Sequence, residues 1–384
     1  MKLKSFVFIV AIATLIVGVS ACERVSPIVQ PTTPDTQDKR QEISVGIVLP
    51  LTGHVAPTGQ LMKRGFALAI DEINTADVSK VGLKFIFEDG MGTPEGAVKA
   101  FNKLIHTEKV TAILGPSTSS ATQAAFPIAQ ENEIVALSPT AGASGLTEIG
   151  DFVFRLPGTT QVAIATGIKA TQAKLGYQQV ATLYDDADLF STDQDRTLRA
   201  VFAANGIEAF TPETFQTGDT DFLSQLTRIK ALNPDAIFVS ALPPEKPGIL
   251  IQAHRLGITV PIIISSLTDL EIEAAGPAAE GAITFISWLT TDDTPGNHAF
   301  VQNYSEMFGE EPNGFAAVSY ASVYILAAAI TNAHSTDSTA IRDALADIRD
   351  FDTILGKFSF NANGDGVYDQ KALIVKDGVL QPFE

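Results

Sequence analysis

Residues 43–74, ISVGIVLPLTGHVAPTGQLMKRGFALAIDEIN, decide the fold. VGIVLPL (Val45–Leu51) is a short apolar run of the kind that forms a strand buried on both faces. LTGHVAPTGQ (Leu51–Gln60) breaks it with Gly, Pro and Thr. Leu61, Gly65, Leu68 and Glu72-Ile73 then mark the rows of a helix whose inward positions are mostly apolar. Strand, loop and helix make one beat of an α/β fold, and the beat repeats. LKFIFED (Leu83–Asp89) is a second strand. PEGAVKAFNKLIHTE (Pro94–Glu108) is a helix with Pro94 at its start, where a missing N–H costs nothing. VTAILG, ATQAAFPIAQEN and IVALSP continue the rhythm. After Arg155 it restarts with VATLYDD, DRTLRAVFAANG, DFLSQLTRIKALNP, AIFVSA, GILIQAHRLG and PIIISS. Such alternation implies parallel sheets with helices on both faces. Two runs of it, split near Pro157, predict an α/β protein of two doubly wound parallel-sheet lobes. GAITFISWL and the helical stretch from AFVQNYSEMF to NAH must join one of them, and no short-period repeat is present.

Upstream of the body, Lys2 and Lys4 precede an apolar run from Phe6 to Val19, and Val19-Ser20-Ala21-Cys22 follows at once. A basic start, a short apolar stretch and small residues before a cut describe a secretory signal peptide. The run is too short for a membrane span, which needs about 20 apolar residues. Val-Ser-Ala-Cys resembles the bacterial lipobox, in which the Cys thiol is lipidated and becomes residue one. Cys22 is the single Cys of the chain. Residues 1–21 are therefore expected to be a lipoprotein signal peptide, and 22–42 the lipid anchor and a Pro-rich disordered tether. Cleavage removes two lysines and moves the formal charge from −18 to −20. So acidic a body argues against nucleic acid and against adhesion to anionic lipid. With Cys22 modified, no thiol remains for a disulfide or a Cys-type zinc site.

In open parallel sheets, ligands bind beyond the carboxyl ends of the strands, where loops lead into helices. The loops so placed are Leu51–Gln60, Gly115–Ala121, Ser138–Gly145, Asp185–Ser191, Ser240–Pro247 and Ser265–Asp269. The first three are rich in Gly, Ser and Thr, offering hydroxyls and amides that suit a carboxylate, amide or hydroxyl group. Helix capping explains one such loop; three in one lobe favour a shared pocket. Enzyme motifs are missing. No G-x-S-x-G occurs, and the five His are scattered without metal spacing. His106, His254 and His334 fall on helical stretches and are expected in solvent, whereas His54 falls in a candidate loop. Gly90–Gly96 is predicted as a tight turn, not a dinucleotide site. Asn361–Gly366 mimics the start of a calcium loop, but its twelfth position is Ala372 where a Glu is needed, so a hairpin turn is expected. Phe285, Ile286 and Trp288 are expected in the core.

The opening stretch, residues 43–74, resembles the start of the branched-chain amino-acid binding family, the type I extracytoplasmic receptors of ABC importers. ILGPSTSSATQAAFPIAQENEIVALSPTAGASGLTEIGDFVFRLPG (Ile113–Gly158) resembles the family's central signature, and GDTDFLSQLTRIKALNPDAIFVS and AAEGAITF resemble its second lobe. The likeness runs from about Ile43 to the C-terminus. It implies a flytrap with residues 43–158 plus 286–362 as lobe 1 and 159–285 plus 363–384 as lobe 2, joined by a three-crossing hinge. It further implies a monomer that captures a small molecule and delivers it to an ABC permease, with no catalytic residue, cofactor or metal. A sensory lipoprotein of the same fold is the alternative, and an extracytoplasmic enzyme a third.

In the family's amino-acid binders, a Ser donates to the ligand carboxylate; the matching residue is Ser119, with Ser120 beside it. Thr140 and Gly142 match the next loop's carboxylate and ammonium contacts, Gly142 standing where Thr is usual. Thr58 and Leu242 stand where aromatics cover the ligand. The second-lobe Glu that pairs the ammonium falls near Ser265 or Ser266, with Asp269 and Asp186 as the acids that could substitute. A buried ammonium without its anion is costly. The resemblance therefore implies that the carboxylate or amide end of the pocket is kept and the ammonium end stripped.

Overall fold

The structure is a computed structural model and describes residues 42–76, 82–158 and 160–383; the predicted signal peptide, Cys22 and the tether to Gln41 lie outside the described residues. In the first lobe, strands β1 (Glu42–Leu49), β2 (Gly82–Asp89), β3 (Ala112–Leu114), β4 (Val135–Ser138) and β5 (Val153–Arg155) pair in parallel in the order β2-β1-β3-β4-β5. Helices α1 (Ala56–Ala76), α2 (Pro94–Lys103) and α3 (Ser119–Glu131) connect them. Side chains alternate along each strand, so each strand feeds two cores. Val45, Ile47, Leu49, Leu114 and Leu137 enter one cluster with Met62 and Phe66 of α1. Val48, Ile113 and Ala136 enter the other with Phe101 of α2 and Phe126 of α3.

The second lobe repeats the scheme with α4 (Thr160–Leu175), β6 (Gln179–Asp185), α5 (Leu189–Ala204), β7 (Glu208–Ala209), β8 (Glu213–Phe215), α6 (Leu223–Leu232), β9 (Ala236–Ser240), α7 (Lys246–Arg255), β10 (Ile262–Ile264), α8 (Asp269–Ala275) and β11 (Ile283–Ile286). Strands β6, β9, β10 and β11 form its parallel centre. Leu183, Ile237 and Val239 pack toward α6 and α7, and Val180, Phe238 and Ile263 toward α4 and α5.

The chain then returns to the first lobe as α9 (Asn297–Phe308), α10 (Gly314–Ala333) and α11 (Ser338–Ala346). Helix α10 is apolar and long enough to cross a bilayer, yet it is mostly buried. Its residues complete the first cluster, and α1 meets it so closely that a Cβ on Gly65 would lie 2.1 Å from the Ala316 carbonyl oxygen. Three short strands follow, β12 (Phe351–Thr353), β13 (Gly356–Phe360) and β14 (Gly366–Val367). The last two, β15 (Lys371–Lys376) and β16 (Val379–Pro382), add antiparallel to β11 in the second lobe. The chain crosses between the lobes after β5, after β11 and after β14, and β14 still pairs with β13 of the first lobe.

The Asn361–Gly366 stretch is a tight turn, with Asn361 Oδ1 accepting from the Asn363 and Asp365 amides at 2.9 Å each. It presents Asp365 to the buried Arg155, whose Nε donates to Oδ1 at 2.5 Å, while the Thr147 hydroxyl donates at 2.8 Å. A guanidinium is thereby neutralised at a crossing where it is 1% exposed.

Candidate functional site

A cavity of about 840 Å³ opens between the lobes and takes its walls from the loops at the carboxyl ends of both sheets. On the first-lobe side, Asp89 at the end of β2 organises the loop after β1. Its carboxylate accepts from the Leu51 amide at 2.9 Å, the Thr52 hydroxyl at 2.6 Å and the Met91 amide at 2.8 Å. Burial pushes the Asp89 pKa up, but the Thr52 hydroxyl and the Met91, Thr52 and Leu51 amides together hold it below the ordinary value. Gly90–Gly96 is the expected turn into α2, capped by Thr93 at Gly96 N, 3.1 Å away.

The second and third loops are laced together. Gly115 has φ +110, and a Cβ there would sit 2.3 Å from the Val48 carbonyl oxygen, so only glycine lets the chain turn this close to β1. Thr118, not Ser119, caps α3: its hydroxyl oxygen accepts from the Ala121 amide at 3.4 Å. The Thr140 hydroxyl donates to the Ser117 carbonyl at 2.7 Å, and Ser138 donates to the Pro116 carbonyl at 2.6 Å. Ser119 opens α3, is 2% exposed, and accepts from the Ala143 amide at 3.1 Å. That bond occupies a lone pair and leaves its O–H proton to donate. Thr58, Ser119, Thr140 and Gly142 all line the cavity. The N-terminus of a 13-residue helix and a donating hydroxyl thus converge on one wall.

Ser120 does not join them. Successive helical residues point about 100° apart, and Ser120 turns to Asp188 of the second lobe at 3.4 Å while accepting from the Leu189 amide at 3.3 Å. Asp188 caps α5 through the Ser191 amide at 2.9 Å. Burial drives the Asp188 pKa up, against the lowering pull of its Ser191 and Ser120 bonds. A second tie between lobes joins the Ser144 amide and hydroxyl to Asp193 at 2.8 and 2.9 Å. His54 makes a third: its Nε2 lies 2.6 Å from Oε1 of Glu245, and Gly218 N donates to the same oxygen at 2.9 Å. His54 therefore bridges the lobes instead of lining the cavity. His106, His254 and His334 are exposed, as their helical placement predicts.

On the second-lobe side Leu242 and Ser266 line the cavity. Ser265 is tied to the Gln194 side chain at 2.8 Å. Of the two acids named as substitutes, Asp186 is exposed, receives the Gln216 amide and does not line the cavity. Asp269 does line it, at the open rim, where burial and then the charge of Glu311 across the cleft raise its pKa. Sequence reasoning missed Lys246. It is 2% exposed, lines the cavity, and donates to the Ser266 carbonyl at 3.1 Å. Its place in the Ser240–Pro247 loop, just before a helix proline, was the available clue. Phe285 and Trp288 border the cavity as well; Trp288 is buried with Nε1 donating to Asn297 at 2.6 Å. Among the described residues, no group of three or more His, Cys, Asp or Glu could hold a metal ion.

The family described as periplasmic binding protein matches residues 42–376. The Leu/Ile/Val-binding protein BraC3 of Rhizobium johnstonii is 29% identical over 84% of this chain and 89% of its own length. Among solved structures, the leucine-binding protein LivK of Thermotoga maritima superposes with a TM-score of 0.84 at 27% identity, covering 89% of this chain and 98% of its own. LivJ of Streptococcus pneumoniae, in complex with isoleucine, gives 0.82 at 28% identity, covering 89% of this chain and 98% of its own. These relatives are solute-binding proteins, LivJ being named as a transporter substrate-binding protein, and not enzymes. With the flytrap architecture and the interlobe cavity in place, the conclusion is direct: the chain belongs to the periplasmic binding protein family.

Proposed function

We propose that this protein is an extracytoplasmic, lipid-anchored receptor that captures a small polar organic molecule bearing a carboxylate or amide and delivers it to an ABC permease. The observation that carries the ligand class is the polarity of Ser119. Its oxygen accepts from Ala143 N and its O–H proton is left to donate toward the cavity, at a helix N-terminus that favours an anion or a carbonyl oxygen. Thr140 supports the same wall by holding the adjoining loop. Relatives named for leucine, isoleucine and valine support an amino-acid-like carboxylic acid as the ligand. Both walls come from one chain, which fits a monomer.

Small molecules released on denaturing the purified protein, identified by mass spectrometry and returned by calorimetry, test this reading. A carboxylic acid or amide bound at a single site is the expected result; an empty protein that binds neither class overturns it. Saturation with that acid should also shrink the radius of gyration in small-angle scattering, since contacts from both lobes favour the closed form. Anchoring at Cys22 is tested separately. One acyl chain, at about 0.8 kcal/mol per buried CH₂, binds membranes only marginally, whereas two or more anchor stably. The wild type should partition with membranes and Cys22→Ser should be released or remain uncleaved. Equal membrane fractions with normal cleavage would refute the anchor.

A further inference from the structure

We infer that the second-lobe wall carries a reversed charge, Lys246 in place of an acid, and that the ligand is a small organic acid with an oxygen acceptor, a keto group or second carboxylate, where an amino acid carries its ammonium. The inference rests on the transport reading and specifies the chemistry of the same cavity. The family resemblance places the acid that would pair an ammonium near Ser265 or Ser266, and neither is an acid. The Ser266 carbonyl receives the Lys246 ammonium at 3.1 Å. Lys246 is 2% exposed and lines the cavity. Its counter-ion, Glu271, lies 3.0 Å away but is not part of the cavity lining. Of the pair, Lys246 borders the cavity and Glu271 does not.

The hydrogen bonds leave room for a ligand. Glu271 Oε1 approaches Lys246 as an ion pair without hydrogen-bond alignment. Glu271 Oε2 is engaged by the Thr268 amide and hydroxyl at 2.7 Å each, in the capping box that opens α8. An ammonium has three N–H groups, and the Ser266 carbonyl takes one in good geometry. A keto or carboxylate oxygen in the cavity is a fitting acceptor for another. A ligand ammonium would face Lys246 with like charge in a poorly solvated site, an arrangement that is strongly unfavourable. Four acids also line the cavity, Asp269, Glu273, Glu310 and Glu311; all four are surface-exposed, and Glu310 is paired with Arg64.

Matched pairs of probes test this. Calorimetry with leucine against α-ketoisocaproate, valine against α-ketoisovalerate, and glutamate against α-ketoglutarate compares ammonium with oxygen at constant carbon skeleton. In at least one pair the keto acid should bind about ten-fold or more tighter than its amino acid, the loss expected for burying an unpaired charge. Lys246→Met alone strands Glu271, so the paired variant Lys246→Met/Glu271→Gln is the informative one. With an unchanged melting temperature, it should bind the preferred keto acid about ten-fold or more weaker, as for loss of a charged hydrogen bond. If amino acids bind the wild type tighter than their keto partners, the charge assignment falls while the transport reading stands. If the folded double variant binds the keto acid as well as the wild type does, Lys246 is a structural tie only. If neither set binds and nothing co-purifies, both readings fall.

Discussion

The two walls of the cavity are built from the same kind of loop yet work differently. On the first-lobe wall, hydroxyls and amides from three loops interlock: Thr140 on Ser117, Ser138 on Pro116, Ser119 on Ala143. It is a neutral, donor-rich surface at the start of α3. On the second-lobe wall, one buried cation stands on one buried anion, Lys246 on Glu271. A neutral hydroxyl network spreads its energy over many bonds of about 1 kcal/mol each. An ion pair concentrates it in two groups, neither of which is tolerated alone. The first wall should therefore yield to mutation gradually and the second abruptly.

The largest effect belongs to the second wall. Lys246→Ala leaves Glu271 charged, buried and unpaired, and should destabilise the fold by about 3–5 kcal/mol. Chemical denaturation of the apo protein measures it, and Lys246→Met/Glu271→Gln should recover most of the loss. Equal stability of Lys246→Ala and wild type would mean the pair is solvated and the contrast between walls false.

Next comes Ser119→Ala on the first wall. Loss of a hydrogen bond to a charged ligand costs about 1.5–3 kcal/mol, to be read by calorimetry with the acid recovered from the protein. Apo stability should fall by only about 1 kcal/mol, from the lost bond to the Ala143 amide, because Ser119 is not the helix cap. The third effect is the mirror image: Thr118→Ala removes the cap of α3, should cost about 1 kcal/mol of stability, and should leave affinity nearly intact. If the two variants exchange phenotypes, the roles of Thr118 and Ser119 are reversed.

The smallest effects are electrostatic and run in opposite senses on the two lobes. Asp89 is held below its ordinary pKa. Its contribution is fully present above the unfolded value of about 3.9 and fades as pH falls through the folded value. Asp188 is pushed above its ordinary pKa. Its contribution is fully present below the unfolded value and is lost as pH rises through the folded one. Asp89→Asn should flatten the acid limb of the stability–pH curve. Asp188→Asn should remove the loss on the rising side while its side-chain oxygen still caps α5. Melting curves taken from below about pH 3.9, where the Asp89 contribution fades, up to neutrality, which spans the rise through the Asp188 value, check both; equal and parallel curves would contradict the opposite shifts.

Much of the fold was legible because both sheets are parallel and buried, so strands such as Val45–Leu49 and Ala236–Ser240 stand out as apolar runs between amphipathic helices. The first wall was legible for a related reason: its chemistry is local, with each hydroxyl in the loop that follows its own strand. Even there, the division of labour between Thr118, Ser119 and Ser120 was hidden, since three consecutive polar residues look alike until the helix phase is set. The second wall was legible in part: Leu242 and Ser266 were named and line the cavity, but the buried ion pair was hidden. Lys246 meets Ser266 and Glu271 only because α7 and α8 pack side by side, and neither spacing nor composition announces a contact between those positions. The His54–Glu245 tie, between residues 191 apart in sequence, was invisible for the same reason.

A crystal structure of the protein with the ligand it carries through purification is the decisive measurement. One small organic acid is expected between the lobes, with a carboxylate oxygen within hydrogen-bond distance of Ser119 Oγ and a second oxygen at Lys246 Nζ. A ligand held by one lobe alone, or an ammonium group seated at Lys246, would contradict this arrangement.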